Sequence, residues 1–167
     1  MFGIFKRDSS QGSYSGEVRN GLAHGFGKYE FENGSSYEGG FLFDEFHGEG
    51  EFTFSHGGVV KGKWTNGYFY EGVREFINGD KYEGGFKNGY YHGKGSSTFS
   101  DGENYTGDFV DDLPHGKGTL TFSDGSIYVG QFADGMRSGE GTITYSNGDK
   151  YTGSFKKNHG LWWNLHS

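Results

Sequence analysis

Aromatic and polar residues alternate along most of this chain with a period of two, the pattern of strands that bury one face and solvate the other. In the segment 105–125, Leu120 and Phe122 fall on one side, and threonine and serine fall on the other. The same division recurs in the neighbouring segments. The pattern therefore predicts antiparallel strands with one aromatic face and one polar, threonine-rich face.

The segment itself is repeated. Each copy opens with Tyr–x–Gly–x–aromatic, continues with a His–Gly pair in most copies, and closes with an Asn–Gly or Asp–Gly pair. Copies begin at Tyr14, Tyr37, Val60, Tyr82, Tyr105, Tyr128 and Tyr151, 23 residues apart except for 22 between Val60 and Tyr82. A fixed period of this size indicates a protein built by stacking one structural unit.

Each unit is predicted to be a β-hairpin. The closing Asn–Gly and Asp–Gly pairs favour tight turns, because both residues tolerate positive φ. The glycine between two rings of the first strand predicts a notch on which a ring of a neighbouring hairpin lies. Two strands for each of seven starts give at most about fourteen strands. With no helical periodicity, we predict an all-β fold: an extended single-layer antiparallel sheet of stacked hairpins, twisted into a trough.

The repeat boundaries predict three segments. Residues 1–13 form an N-terminal tail or capping segment, residues 14–155 a domain of six units and a truncated seventh, and residues 156–167 a C-terminal cap or tail. Phe5, Trp162 and Trp163 are candidate partner contacts in the tails, and the alternative is that the tails cap the end units. The third unit lacks the tyrosine and the His–Gly pair, so we expect a specific contact there.

Composition narrows the function. Aromatic residues make up 19% of the chain, which opposes disorder, and there are 0 cysteines, which favours a reducing compartment. The formal charge of −7 disfavours nucleic acids and anionic membrane surfaces as partners. No apolar run approaches the roughly 18 residues of a membrane span, and no signal peptide is recognised. A cytoplasmic location is expected.

The histidines suggest a metal site only at first sight. His24, His47, His92 and His115 occupy the same position in their units. Equivalent positions of successive hairpins lie ~10 Å apart, whereas zinc ligands lie ~2.1 Å from one ion. We therefore predict no metal and no cofactor, and expect each histidine to hydrogen-bond the turn ahead of it.

Two other motifs carry little chemistry. The run Gly57–Lys63 approaches a phosphate-binding loop, but Trp64 stands where serine or threonine is needed and no helix follows. Asp108, Asp111 and Asp112 lack the spacing of a calcium loop, which leaves a solvated loop or a charged partner contact. Since every candidate catalytic residue is a repeat position, no enzyme is predicted.

The Tyr–x–Gly–x–aromatic, His–Gly–x–Gly and Asn/Asp–Gly elements at a 23-residue period resemble the MORN (membrane occupation and recognition nexus) repeat family over Tyr14–Phe155. The resemblance implies hairpins in an extended single-layer sheet whose aromatic groove binds partners. Members serve as non-enzymatic scaffolds in cytoskeletal and ciliary assemblies, as membrane contacts in junctophilins, and as appendages to kinases and methyltransferases. The chain is similar to small stand-alone members found with axonemes, basal complexes or myosin tails.

We accordingly predict a non-catalytic scaffold that holds a partner peptide or helix in an aromatic groove of a cytoskeletal, ciliary or myosin-associated assembly. The predicted groove residues are Tyr37, Phe41, Trp64, Tyr82, Phe86, Tyr105, Phe109, Tyr128 and Phe132. Replacing Trp64 or Phe86 by alanine is expected to weaken partner capture while the fold survives. The alternative is a peripheral membrane or phospholipid contact, which the net charge opposes, and exposed sheet edges also favour a homo-oligomer.

Overall fold

The computed structural model describes residues 11–156, and its contacts divide the chain into two compact units, residues 1–90 and 91–167. The strands of the first unit are β1 (Gly12–Arg19), β2 (Leu22–Phe31), β3 (Ser36–Leu42), β4 (Glu45–Thr53), β5 (Val59–Thr65), β6 (Tyr68–Glu75) and β7 (Lys81–Lys87). Those of the second unit are β8 (Tyr90–Thr98, whose first residue closes the first unit), β9 (Asn104–Val110), β10 (Leu113–Thr121), β11 (Ile127–Ala133), β12 (Met136–Thr144) and β13 (Lys150–Phe155).

Within each unit every strand pairs antiparallel with the next strand of the chain. Residues 11–156 contain no helix and no second layer of strands. The prediction of a single antiparallel layer of hairpins is confirmed, whereas its curvature into a trough stays a prediction. The tail contacts Phe5, Trp162 and Trp163, and any fourteenth strand, lie outside the described residues.

The closing turns differ from the prediction that both residues of the Asn–Gly or Asp–Gly pair have a positive φ. In the closing turns only the glycine has a positive φ, for example 85° at Gly125, while the preceding Asp124 does not. The Asp124 side chain instead accepts a hydrogen bond of 2.8 Å from the Ser126 amide. The aspartate or asparagine is therefore chosen for its side-chain acceptor, as in an Asx turn.

Apart from Gly57 and Gly58, which lie between β4 and β5, the pairs of residues with two consecutive positive φ angles lie at the turns within the hairpins. At the β5–β6 turn, φ is 49° at Asn66 and 78° at Gly67. This is the backbone of a two-residue hairpin turn, which follows the twist of its strands. The Asn–Gly and Asp–Gly pairs were correctly predicted to form turns. The conformation with two positive φ angles, however, occurs at pairs within the hairpins, such as Asn66–Gly67, and not at the closing pairs.

The His–Gly pair marks an irregularity in the second strand of the hairpin. Gly48 has φ 71° and Gly116 has φ 63°. The pairing shifts register between His115 and Gly118, so the extra residues bulge there. Glycine is favoured because other residues rarely adopt this conformation. The bulge adds two residues, so Pro114 before it and Leu120 after it still lie on the same face, opposite Phe109 and Tyr105.

Candidate protein-binding surface

The nine predicted groove residues form the core of the two units. Tyr37, Phe41, Trp64, Tyr82 and Phe86 lie in the first unit, and Tyr105, Phe109, Tyr128 and Phe132 in the second; none is more than 6% exposed. This burial corrects their placement on an open groove. Any contact between these nine residues and a partner stays a prediction, since their side chains first of all hold the sheet together.

The tyrosine that opens a repeat lies over glycine backbone, as seen at Tyr14, Tyr37, Tyr105, Tyr128 and Tyr151. The hydroxyl of Tyr105 donates a 2.9 Å hydrogen bond to the carbonyl oxygen of Asp108, three residues further on. Its ring covers Gly118, where an added β-carbon would lie 2.4 Å from the ring. The notch predicted from the glycines is therefore present, but the ring that fills it comes from the same hairpin and not from its neighbour.

Aromatic rings then pack on these tyrosines. Phe46 stacks on Tyr37 with ring centroids 3.6 Å apart and planes 6° apart. Phe41 meets the same tyrosine edge-on at 5.3 Å, and Trp64 does so at 5.4 Å. The edge-to-face contacts of Phe41 and Trp64 are a favourable arrangement of aromatic pairs. Together with the stacked Phe46 ring they let a single-layer sheet bury its rings without a second layer. We call this side of each unit the aromatic face and the opposite side the polar face.

The phenol groups are chemically quiet in this setting. Burial raises the pKa of Tyr37, and the negative charge of Glu49 adds to the effect. Burial also raises the pKa of Tyr105 and of Tyr128. These hydroxyls therefore stay protonated at neutral pH, where they serve as hydrogen-bond donors to the backbone.

The accessible part of the aromatic face is a different set of rings. We define the turn-side row as the aromatic residue that directly precedes a closing turn and remains partly exposed: Phe31, Phe54 and Phe76 in the first unit, and Phe122 and Tyr145 in the second. Phe54 packs on Phe52 at 4.8 Å, and Phe31 lies 5.6 Å from Phe52, so these rings rest on the buried layer. Sequence alternation places most of them on this face but gives no signal of their exposure.

The third unit departs from the others as its sequence suggested. The β5–β6 pairing shifts register beside Trp64, as other hairpins do, but only Tyr70 is left out of the pairing, whereas Gly116 and Lys117 are left out between β9 and β10. Tyr68 and Tyr70 are 42% and 41% exposed. Trp64 itself is 1% exposed, and its indole nitrogen donates a 3.2 Å hydrogen bond to the carbonyl oxygen of Gly50. A specific contact in this unit stays a prediction, and exposure favours the two tyrosines over the tryptophan.

The histidines occupy strands β2, β4, β8 and β10 and not the loops. The Nδ1 atoms of His24, His47 and His92 are buried and have no hydrogen-bond partner, so the predicted bond to the turn is not made by these atoms. His92 Nδ1 lies 3.6 Å from a carboxylate oxygen of Asp111. Within residues 11–156 no group of three or more histidine or acidic side chains is arranged to hold a metal ion.

The acidic cluster of the second unit is largely paired. Asp108 lies 2.6 Å from the Lys94 ammonium group across the polar face. Asp112 accepts a 2.7 Å hydrogen bond from the Tyr91 amide. These contacts give the cluster a structural role at the β9–β10 turn, in place of a merely solvated loop. The glycine-rich run 57–63 lies in a turn and in β5, without the helix of a phosphate-binding loop.

The fold and its ring packing define a repeat protein of stacked hairpins. The MORN repeat model matches residues 14–36, 37–59, 82–103, 105–127 and 128–150. The chain belongs to the MORN-repeat family, whose repeat is a non-catalytic module for interaction with proteins and membranes. The third repeat, which begins at Val60, and the truncated seventh repeat, which begins at Tyr151, lie outside the matches. Comparison with curated proteins gives no match.

Proposed function

We propose that this protein is a non-catalytic scaffold or adaptor that holds a peptide or helix of a partner protein against the aromatic face. Support comes from the turn-side row, where partly exposed rings sit on a rigid buried layer. Phe31 and Phe54 lie on the same inner ring, Phe52, so they present neighbouring positions for one bound segment. Aromatic side chains of this kind commonly dominate binding energy, since they lose little conformational entropy.

The polar face offers less to such a segment. Its charged side chains are arranged in cross-strand pairs, such as Lys63 with Glu71 at 3.0 Å and Lys94 with Asp108 at 2.6 Å. Exposed pairs of this kind contribute little to binding, because water and salt already satisfy them. The proposed assembly is cytoplasmic and cytoskeletal or ciliary, with a myosin-associated assembly included, on the strength of the family alone.

Site-specific photo-crosslinking in cells tests this function. A benzoylphenylalanine residue replaces Phe54 in one variant and Phe122 in another, with matched polar-face variants at Lys61 and Thr119. We expect both aromatic-face variants to crosslink to one partner protein, with the crosslinked segment at each position identified by mass spectrometry. Equal or stronger crosslinking from Lys61 and Thr119 would show that partners use the other face.

Membrane contact is the competing function, and one observation favours it. Ile77 is 81% exposed in the turn between β6 and β7, where it is free to enter a bilayer surface. Against it, Lys28, Lys61, Lys63 and Lys81 each have a carboxylate within 4 Å, which weakens attraction to anionic lipid. Flotation with phosphoinositide vesicles discriminates: salt-sensitive binding that is lost in Ile77→Ser would favour the membrane.

Self-association is a further proposal. Strands at the ends of an open sheet invite pairing with another copy. Sedimentation velocity over a range of concentrations measures the oligomeric state, and a monomer at every concentration would remove this proposal. Neither a nucleic acid nor a cofactor enters the proposed function.

A further inference from the structure

Arg137 occupies a position that other hairpins fill with a buried uncharged residue, in two of them an aromatic ring. In β12 it pairs with Phe132, as Phe46 pairs with Phe41 and Phe69 pairs with Trp64 in the first unit. Phe46 and Phe69 are 0% and 4% exposed. The repeat that begins at Tyr105 carries Pro114 at this position, and Pro114 is also fully buried. Arg137 is thus a guanidinium group placed within the ring layer of the aromatic face.

Three rings surround the guanidinium. Its central carbon lies 5.5 Å from the ring centre of Phe122 and 5.6 Å from those of Tyr128 and Phe155. Cation–π attraction holds the group there, but ring faces leave most of its five N–H donors without acceptors. Among the residues that the structure describes, Arg137 makes no ion pair and no hydrogen bond to an oxygen.

A partly buried cation without a counter-charge favours an incoming anion. Removal of the guanidinium from bulk water costs free energy, and no carboxylate of the described residues lies within ion-pair distance of it. A carboxylate that meets the planar fork can accept two parallel hydrogen bonds. Charge complementarity therefore identifies the missing group as an acid.

The recess beside Arg137 defines what accompanies that acid. It has a volume of about 430 Å³ and is lined by Phe122, Ile143 and Tyr145, with Ser126 next to them. Tyr145 is 46% exposed, so its ring is available to a ligand. An apolar side chain next to the acid would cover these walls.

Two carboxyl groups, those of Glu103 and Asp124, also line the recess. Glu103 is 8% exposed, and burial raises its pKa, with Asp101 adding to the rise. Asp124 also lines the recess, and its side chain already accepts the Ser126 amide at 2.8 Å. These groups repel an anion, so the acid is expected to pair with the guanidinium of Arg137, while the apolar residue packs against Ile143 and Tyr145.

We propose that Arg137, together with Phe122, Ile143 and Tyr145, is a recognition site for an acidic side chain adjacent to an apolar residue in the bound partner segment. This inference rests on the proposed protein-binding function and adds its specificity. It places an acidic–apolar motif of a protein partner at the second unit, since the equivalent positions of the first unit carry the uncharged residues Ala23, Phe46 and Phe69.

Selection of random twelve-residue peptides displayed on phage against the full chain tests the site. We expect the selected peptides to be enriched in glutamate or aspartate next to leucine, isoleucine or phenylalanine. Their affinity should fall about tenfold or more in Arg137→Gln, the range expected for a lost hydrogen bond to a charged group. Added sodium chloride should weaken binding to the wild-type chain and have little effect on the residual binding to the variant.

Matched variants separate loss of the ion pair from loss of the fold. Arg137→Phe restores the ring found at Phe46 and should keep thermal stability while losing the preference for acidic peptides. Arg19→Gln, in β1 of the other unit, should change neither property. A selection that yields no acidic–apolar motif, whether other peptides or none are enriched, overturns the inference, as does equal affinity of such peptides for Arg137→Gln.

Two further outcomes separate this inference from the proposed function. If crosslinking from Phe54 and Phe122 in cells persists with the same partner in the Arg137→Gln background and at the same yield, protein binding stands and the acidic site falls. If Arg137→Gln abolishes flotation with phosphoinositide vesicles and leaves peptide binding unchanged, the guanidinium recognises lipid phosphate and the peptide site is likewise excluded.

Discussion

The hydroxyl of Tyr37 lies so close to the backbone of Gly50 that a β-carbon added there would stand 2.2 Å from its oxygen. The same hydroxyl donates a 3.0 Å hydrogen bond to the carbonyl oxygen of Gly40, so it cannot retreat without losing that bond. Tyr37 is 0% exposed, and Phe46 is stacked on the other face of its ring. The absence of a side chain at Gly50 is therefore required for Tyr37 and Phe46 to pack as they do in this hairpin.

Gly50→Ala should destabilise the protein by roughly 1–3 kcal/mol, the usual cost of overpacking a rigid core. Gly153→Ala is the matched control. Its β-carbon would meet Tyr151, at 2.7 Å from the hydroxyl, but Tyr151 is 48% exposed and is able to move aside. Urea denaturation of both variants measures the difference, and equal losses would contradict the notch as the cause.

Trp64→Ala should cost roughly 3–5 kcal/mol, because it removes a buried ring together with its hydrogen bond to Gly50. Thermal and chemical denaturation check this value. Tyr68→Ala, in the same unit, should stay within about 1 kcal/mol of wild type, since that ring is 42% exposed. A Trp64→Ala protein as stable as wild type would contradict this role of the ring in the core.

Stability should decline in alkaline solution. Burial raises the pKa of Tyr37 and Tyr105 above the ordinary tyrosine value of about 10. Above that pH the unfolded chain binds fewer protons than the folded one, so the free energy of unfolding falls as pH rises. Urea denaturation at a series of pH values, with tyrosinate absorbance as a second signal, measures the slope. Tyr37→Phe should give a shallower slope, and an unchanged slope would exclude Tyr37 as a contributor.

Glu103→Gln should stabilise the protein at neutral pH. Burial raises the pKa of Glu103, so the folded state favours the protonated acid, and the stability it contributes is lost as pH rises above its unfolded value of about 4.3. Denaturation at several pH values should show the advantage of the glutamine variant shrinking toward acid pH.

Asp124→Asn provides the opposite sign as a control for that experiment. The hydrogen bond from the Ser126 amide lowers the pKa of Asp124, so its carboxylate contributes stability that is present at neutral pH and lost on acidification. The asparagine variant should therefore be less stable at neutral pH and approach wild type in acid. Shifts of the same sign in both variants would contradict the role of burial at Glu103.

The alternation of aromatic and polar residues was sufficient to predict the single-layer hairpin fold and to assign rings to one face. It was not sufficient to separate core from accessible surface. Tyr128 and Tyr145 both fall on the aromatic face, yet they are 0% and 46% exposed. Their difference depends on which other rings cover them, and this packing is a property of several strands together.

The turn sequences likewise predicted where turns occur but not their backbone conformations. Asn66–Gly67 and Asp124–Gly125 look alike in sequence, but only the first pair has two positive φ angles. The second pair has the Asp124 side chain bonded to the Ser126 amide instead, which depends on the length of the loop between hairpins. The role of Arg137 also escaped sequence analysis, since its importance comes from the ring that it replaces in a register visible only in the paired strands.

Pairing of each strand with the next one in the chain has a consequence for how such proteins change size. Duplication of one 23-residue repeat adds a hairpin without changing the strand connections in the rest of the compact unit that contains it. Two strand spacings of ~4.8 Å make each addition worth ~10 Å. The number of repeats encoded by the gene therefore sets the length of the surface that a ligand can span, in steps of one hairpin.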